Sequence, residues 1–134
     1  MLTLSALNWL YHGGTGKLLV GRLTPAIASL LDARTLLVHI NAATLRHIID
    51  EKPRQIAISD VLLLTRMISD GWLVRESARR KSFVISYQSP KRQLKAAFKI
   101  AAGGEEIWVS TLHQSSARQT KALLKRGTVI RTHK

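Results

Sequence analysis

The chain has 134 residues, the length of one domain, and carries 21 Lys and Arg against 8 Asp and Glu, a formal charge of +13. Because 46% of the residues are hydrophobic, this charge belongs to a folded domain and not to a basic disordered tail. The surplus argues against an ordinary neutral metabolic enzyme. It favours an anionic partner: nucleic acid first, then an acidic protein, then an anionic membrane.

The first half of the chain is predicted to be mainly helical. Residues 1–22 are crowded with glycine and are expected to form turns or a mobile arm. Thr24 and Pro25 have the residue types of a helix N-cap and a first helical position. The elements predicted after this arm are helices at about residues 24–34, 43–51 and 59–69 and a buried strand at 35–41.

Apolar and polar residues alternate through most of the second half, which indicates β-strands. The clearest alternation covers residues 93–101, where it favours a strand over a helix. Gly103 and Gly104 mark a hairpin turn after it. The strands predicted here lie at residues 72–75, 83–87, 93–101 and 107–112.

The chain is predicted to close with a helix at residues 117–125. Ser115 or Ser116 is expected to cap this helix, and Gly127 to end it. Together the elements predict an α+β fold in a single domain, residues 1–134. In that fold, N-terminal helices pack on a four- to five-stranded antiparallel sheet, and a C-terminal helix follows.

One short segment resembles a phosphate-binding loop. Residues 13–17 read Gly-Gly-Thr-Gly-Lys, like part of a Walker A motif. The full motif needs Gly at position 11 and Ser or Thr at position 18, where this chain has Tyr11 and Leu18. No strand is predicted before the segment, so a flexible turn is the preferred interpretation.

Several classes of protein can be set aside. The chain has no Cys, which excludes disulfides, thiolate metal sites and a Cys nucleophile, and its eight acids do not group as metal ligands. No metal or cofactor is therefore expected. Residues 1–16 lack the features of a signal peptide, and no run of about 18 apolar residues occurs. We expect a cytoplasmic protein without a membrane partner.

Three histidines are candidates for general acid–base chemistry without a metal. His39 lies within the first predicted strand, and His47 lies on the helix that follows. His113 lies at the end of the last predicted strand, close to Thr111. Each could equally be a structural or surface residue. Convergence of two or three of them near a cationic cleft would favour catalysis.

The basic residues occur in several short runs, with few acids to balance them. A single run is usually a solvated face, whereas several runs together favour a phosphate-binding surface. Stacking on single strands would depend on Trp72, Trp108 or Tyr87. The basic runs are Lys52 and Arg54; Arg79, Arg80 and Lys81; Lys91, Arg92, Lys95 and Lys99; Arg118, Lys121, Lys125 and Arg126; and Arg131 and Lys134.

Several segments together resemble a known superfamily of small RNases. They are residues 37–40 (LVHI), 44–53 (TLRHIIDEKP), 82–87 (SFVISY), 107–113 (IWVSTLH) and 115–116 (SS). The pattern is similar to the barnase/EndoU/colicin/RelE-like (BECR) superfamily, nearest to its phage and toxin branch. In that branch a helix reading His-Ile is followed by a His-Pro step, then by a Trp-Val-x-Thr strand and a Ser. The resemblance covers residues 35–118 and leaves residues 1–34 unmatched.

The resemblance implies roles for the residues at matching positions. His47 matches the helix His, the acid–base candidate of the family. Thr111 and Ser115 match hydroxyl positions that could bind the scissile phosphate. Lys52 stands where the family usually has its second His, so the chain has a cation there and lacks one acid–base group.

The implied reaction is metal-independent RNA cleavage, as carried out by a bacterial or prophage toxin. A base takes the proton of the ribose 2′-OH, the oxygen attacks the adjacent phosphorus, and an acid protonates the leaving 5′-oxygen. His39 or His113 could supply the group that Lys52 replaces. The implied partners are RNA and an acidic antitoxin or immunity protein. The substrate-binding candidates are Lys52, Arg54, Lys95, Lys99, Ser115 and Arg118.

Two alternatives stay open. Residues 59–87 also resemble the end of a winged helix, whose basic turn would be the wing of a DNA- or RNA-binding regulator without catalysis. That fold needs two preceding helices with a tight turn between them, and residues 43–58 offer one short helix and a Pro-containing loop. A structural or phage-assembly protein is the third interpretation.

Overall fold

Helices dominate the first half of the chain and strands the second, which confirms the predicted α+β class. The computed structural model describes residues 1–51, 55–76 and 81–134. Its helices are α1 (Leu4–Tyr11), α2 (Pro25–Leu30), α3 (Ala42–Glu51), α4 (Ile58–Val61), α5 (Leu64–Asp70) and α6 (Ala117–Arg126). Its strands are β1 (Lys17–Arg22), β2 (Leu37–Asn41), β3 (Trp72–Arg75), β4 (Ser82–Gln88), β5 (Gln93–Ile100), β6 (Ile107–Gln114) and β7 (Thr128–Arg131).

These strands form one seven-stranded mixed sheet in the order β1-β2-β6-β5-β4-β3-β7. Strands β2 and β6 run parallel, and the other neighbours pair antiparallel. The prediction of a four- to five-stranded antiparallel sheet was therefore wrong in the number of strands and in one pairing. Strand β1 was missed within the glycine-crowded opening, and β7 is a short edge strand with exposed positions. The parallel pairing joins segments far apart in the chain and has no local signal.

The opening segment, expected as turns or a mobile arm, holds α1 and the edge strand β1. The turn between them uses left-handed backbone at Gly13 (φ 109°) and Gly16 (φ 87°), which glycine adopts without steric cost. The Walker-like residues 13–17 therefore lie in this turn and follow a helix, not a strand. The buried side chains of the segment are Leu2, Leu7, Leu10 and Val20.

Arg46 on α3 holds the end of α1 in place. Its guanidinium donates hydrogen bonds of 2.8–3.1 Å to three backbone carbonyls, those of Leu10, Tyr11 and Gly14. The Tyr11 hydroxyl also donates to Asp50 Oδ1 at 2.5 Å. A charged donor on carbonyls that have no helical partner satisfies them and complements the negative end of the helix dipole.

Several local predictions are confirmed. The Thr24 side chain caps α2, which begins at Pro25, and the alternating segment around residues 93–101 is strand β5. Of the two serines proposed as the last N-cap, Ser116 caps α6, because its hydroxyl accepts a hydrogen bond from the backbone N–H of Gln119. Gly127 directly follows that helix. The helix predicted at residues 59–69 is instead two short helices, α4 and α5.

The two faces of the sheet are covered differently. Side chains of α1 to α5 form the main core with one face. On the other face α6 packs over the β3–β4 region, where Leu123 joins Val74 and Val84 in a small cluster. The hydroxyls of Ser86 and Thr120 are hydrogen-bonded at 2.8 Å beneath this helix. Along β5, β6, β2 and β1 the residues on this second side are partly or fully exposed, and we call that area the open face.

Candidate functional site

A groove on the open face collects polar side chains from β5 and β6. In register, Lys95 lies opposite His113 and Ala97 lies opposite Thr111. The small Ala97 side chain leaves room between its larger neighbours on the same face. Residues that line this groove include Lys95, Lys99, Thr111 and His113, all singled out from the sequence.

A β-bulge adds a second hydroxyl to the groove. Ala97 pairs with Thr111, but the next residue, Phe98, pairs with Val109, so that Ser110 is the extra residue on β6. A bulge turns consecutive side chains towards the same side of a sheet. Ser110 and Thr111 accordingly both line the groove.

Sequence reasoning missed three polar residues that line the groove: Glu76, Ser82 and Ser110. Glu76 directly follows β3, and its Oε2 lies 3.7 Å from Nε of Arg126 on α6. Its approach to β5 and β6 depends on the order of the strands, which has no local signature. The only sequence signal for the bulge at Ser110 is a break in the alternation of apolar and polar residues, because Ser110 and Thr111 are both polar.

A second cleft lies at the neighbouring edge of β6. His39 pairs with Trp108, so β2, which ends at Asn41, reaches about as far along β6 as Ser110. Helix α3 lies against the rest of β6. This cleft is lined by His47, Ile48 and Glu51 of α3 and by Thr111, Leu112 and His113 of β6. Thr111 and His113 therefore line both the groove and the cleft, and His47 approaches them from the helix side.

The side chains of His47 and Glu51 are one helical turn apart and interact. His47 Nε2 lies 3.3 Å from Glu51 Oε2, and both side chains are 61% exposed. A carboxylate at this distance orients the imidazole. The structure thus brings His47, Thr111 and His113 around one end of β6.

His39 is not among the residues that line the groove or the cleft. It lies on the open face of β2, with its ring centroid 6.1 Å from that of Trp108. Burial lowers the pKa of His39, and the neighbouring Lys17 lowers it further, against a smaller opposing effect of Glu106. The imidazole is therefore neutral near pH 7.

Two further substrate-binding candidates, Ser115 and Arg118, are not among the residues that line the groove. Ser115 is in the turn before α6, where its hydroxyl lies 3.3 Å from Gln119 Oε1. Arg118 is exposed on α6 and is not among the groove-lining residues. Lys52 and Arg54 lie outside the residues that the structure describes, as do Arg79 and Arg80 of the basic turn.

Two arginines that were counted towards the basic surface have structural partners. Arg92 Nη1 lies 2.8 Å from Oδ2 of the buried Asp60. Arg131 is half-buried and donates to the carbonyls of Met67, Ile68 and Gly71 at the end of α5. The charge available to an anionic ligand is therefore smaller than the formal count, and lysines of the open face carry much of it.

Two kinds of feature are absent from the described residues, a metal-binding cluster and a membrane-spanning helix. Within residues 1–51, 55–76 and 81–134, no three His, Asp or Glu side chains are grouped to hold a metal ion. No helix in this part of the chain has the length and apolar character needed to cross a membrane.

No protein-family model matches the chain, and neither a curated protein nor a solved structure shows significant similarity to it. The resemblance to the BECR superfamily therefore stays a prediction based on the quoted segments.

Proposed function

We propose that this protein is a small, metal-independent endoribonuclease, a cytoplasmic bacterial or prophage toxin that cleaves RNA by attack of a ribose 2′-OH. One observation carries the proposal. Thr111 and His113 line both the groove and the cleft. Lys95 and Lys99 lie on the groove side of β6, and His47 lies on the cleft side. Two imidazoles, two ammonium groups and a hydroxyl are the groups that such a reaction needs.

In the proposed reaction, one imidazole takes the proton of the 2′-OH, and that oxygen forms a bond to the adjacent phosphorus. The bond from phosphorus to the 5′-oxygen breaks as the second imidazole protonates it, which leaves a 2′,3′-cyclic phosphate and a 5′-hydroxyl. His113 and His47 fill these two roles. Two histidines of opposite protonation state, one base and one acid, return to their starting forms when the cyclic phosphate is hydrolysed.

The transition state carries more negative charge on the phosphoryl oxygens than the substrate does. Lys95 and Lys99 lie on the open face next to His113 and Thr111 and would stabilise that charge. The hydroxyls of Ser110 and Thr111 would donate hydrogen bonds to the same oxygens. These interactions become stronger as the reaction proceeds, which is the condition for raising the rate of the chemical step.

An acidic inhibitor is the second proposed partner. A toxin with a formal charge of +13 would attract an acidic antitoxin or immunity protein by long-range electrostatics. Carboxylates of such a protein would take the place of RNA phosphates beside Lys95 and Lys99.

The direct test is incubation of the purified protein with RNA in excess EDTA. Cleavage that continues under chelation, yields cyclic phosphate ends and is lost in His47→Ala and His113→Ala supports the proposal. His12→Ala is the matched control, because His12 is an exposed histidine beside α1 that lines neither recess.

Other results would identify the alternatives. Tight duplex binding without cleavage would overturn the nuclease in favour of a winged-helix-like regulator. The neighbours of the proposed wing do not favour that outcome, because β3 also pairs with β7 and β4 also pairs with β5. Weak binding that is insensitive to salt would indicate a structural or assembly protein.

A further inference from the structure

Trp108 is positioned on the open face, next to the groove. It precedes Val109, which is buried in the core, so its own side chain points to the opposite side of β6. Its register partners are Lys99 on β5 and His39 on β2. The ring is partly exposed.

Two lysines neighbour this ring, and Glu106 acts electrostatically on His39 beside it. The ammonium of Lys17 lies 5.5 Å from the ring centroid, in a cation–π arrangement, and Lys99 is directly opposite on β5. Leu19, paired with His39, adds an apolar side chain that is 41% exposed. We call Leu19, His39 and Trp108 the aromatic platform; the rings of His39 and Trp108 are tilted by 50° to each other, and Lys17 and Lys99 lie beside them.

We propose that the aromatic platform binds an unpaired base of the RNA substrate by stacking on Trp108. The identity of the strand rests on the proposed nuclease function. An aromatic ring flanked by positive charges matches a nucleotide in two ways, because the base has an apolar face and its phosphates are anionic. Lys17 has an exposed, flexible side chain, so its ammonium can leave the ring for a phosphate when a base arrives.

The distance to the groove suits a short stretch of one strand. Trp108 and Thr111 are three residues apart on β6, which corresponds to about 10 Å along an extended strand. A strand whose scissile phosphate lies at Thr111 and His113 would place a nearby base over the platform. Bases of a duplex are already stacked and paired, so the platform would select single-stranded segments.

The other aromatic candidates do not present a ring in this way. Trp72 packs in the cluster beneath α6, with the His133 ring 4.6 Å from its own. Tyr87 is 6% exposed and stacks on the same histidine. Trp9 is 58% exposed, but it belongs to α1, which packs against the core face. Trp9 is therefore a suitable control.

The experiment measures the affinity of the full chain for a short single-stranded RNA whose 2′-hydroxyls are methylated, so that it cannot be cleaved. Trp108→Leu is expected to weaken binding about tenfold, within the range of about 5- to 150-fold found for loss of one stacked base. Trp108→Phe should restore most of the affinity, and Trp9→Leu should leave it unchanged. A duplex of the same sequence should bind Trp108→Leu and the unaltered protein equally well.

A second measurement does not depend on how Trp108→Leu folds. In a Trp9→Phe, Trp72→Phe variant, Trp108 is the remaining tryptophan, and a stacked base should quench its fluorescence. Removing one base at a time from the oligonucleotide should abolish the quenching at one position. Unchanged fluorescence at saturation, or equal weakening of single-strand and duplex binding in Trp108→Leu, would overturn the proposal.

Cleavage of unmodified RNA, measured in parallel, separates the two proposals. If RNA is cut but Trp108 contributes nothing to single-strand affinity, stacking is wrong and the nuclease stands. If single strands bind through Trp108 but no RNA is cut, the platform stands as a binding site and the nuclease is wrong.

Discussion

Lys95 on β5 and His113 on β6 are directly paired across the open face of the sheet. Side chains in such a pair begin about 5 Å apart at their Cβ atoms. A phosphate oxygen could therefore contact the Lys95 ammonium while the ribose next to it contacts the imidazole. Strand pairing fixes this geometry without the help of a loop.

Removal of the Lys95 charge is expected to slow cleavage. Lys95→Met keeps most of the side-chain volume but loses the ammonium, so kcat should fall about 100-fold with a smaller change in KM. Single-turnover cleavage of a short RNA measures the effect. Lys91→Met, an exposed lysine that does not line the groove, is the matched control, and an equal loss there would point to general charge attraction.

The pair formed by His47 and Glu51 predicts unequal effects of two substitutions. His47→Ala removes an acid–base group and should lower kcat by about 10²- to 10⁴-fold. Glu51→Gln keeps the imidazole and loses only its oriented, charged neighbour, which lies 3.3 Å away. It should cost about tenfold at most, because exposed ion pairs contribute little. If both variants lose activity equally, His47 acts through structure and not through its proton.

The lowered pKa of His39 predicts its titration and a pH effect on stability. An NMR titration should give a midpoint below 6.5, with Lys17→Met moving it upwards and Glu106→Gln moving it downwards. The unfolded chain takes up a proton near pH 6.5, whereas the folded chain takes it up only at lower pH. His39 therefore has no destabilising effect above pH 6.5, and it lowers the free energy of unfolding as the pH falls below that value. A midpoint above 6.5 would contradict the structure.

The hydroxyls of Ser86 and Thr120 predict a non-additive pair of substitutions. Thr120→Val leaves the buried Ser86 hydroxyl without its partner, which should cost about 1–3 kcal/mol of unfolding free energy. The double variant Ser86→Ala, Thr120→Val should lose less than the sum of the two single variants. Chemical denaturation measures all three, and strict additivity would show that the hydroxyls do not interact.

The features of the fold and the site that the sequence predicts are those that depend on residues close together in the chain. The alternation around residues 93–101 identified β5 and the shared face of Lys95 and Lys99, because one side of that strand is buried. His113 was chosen for its imidazole at the end of the last predicted strand, and Thr111 for its match to the BECR pattern; both lie on β6. The placement of Lys95 and Lys99 needed only the period of a strand.

The missed features depend on partners distant in the chain. The bulge at Ser110 exists only relative to β5, and Glu76 reaches the groove only because β3 and β4 lie beside β5 in the sheet. His39 was grouped with the other histidines, but the parallel register placed it beside Trp108. Spacing along the chain contains no information about these neighbours.

The parallel pairing of β2 with β6 also constrains the order of assembly. The pairing consists of two residue pairs, Val38 with Ile107 and His39 with Trp108. The long chain segment between these residues must close into a loop before either pair can form. Addition of β1 and β2 to the rest of the sheet therefore waits for β6. During synthesis on the ribosome, His47 and His113 come together only once β6 has emerged, so the proposed site cannot form before that point.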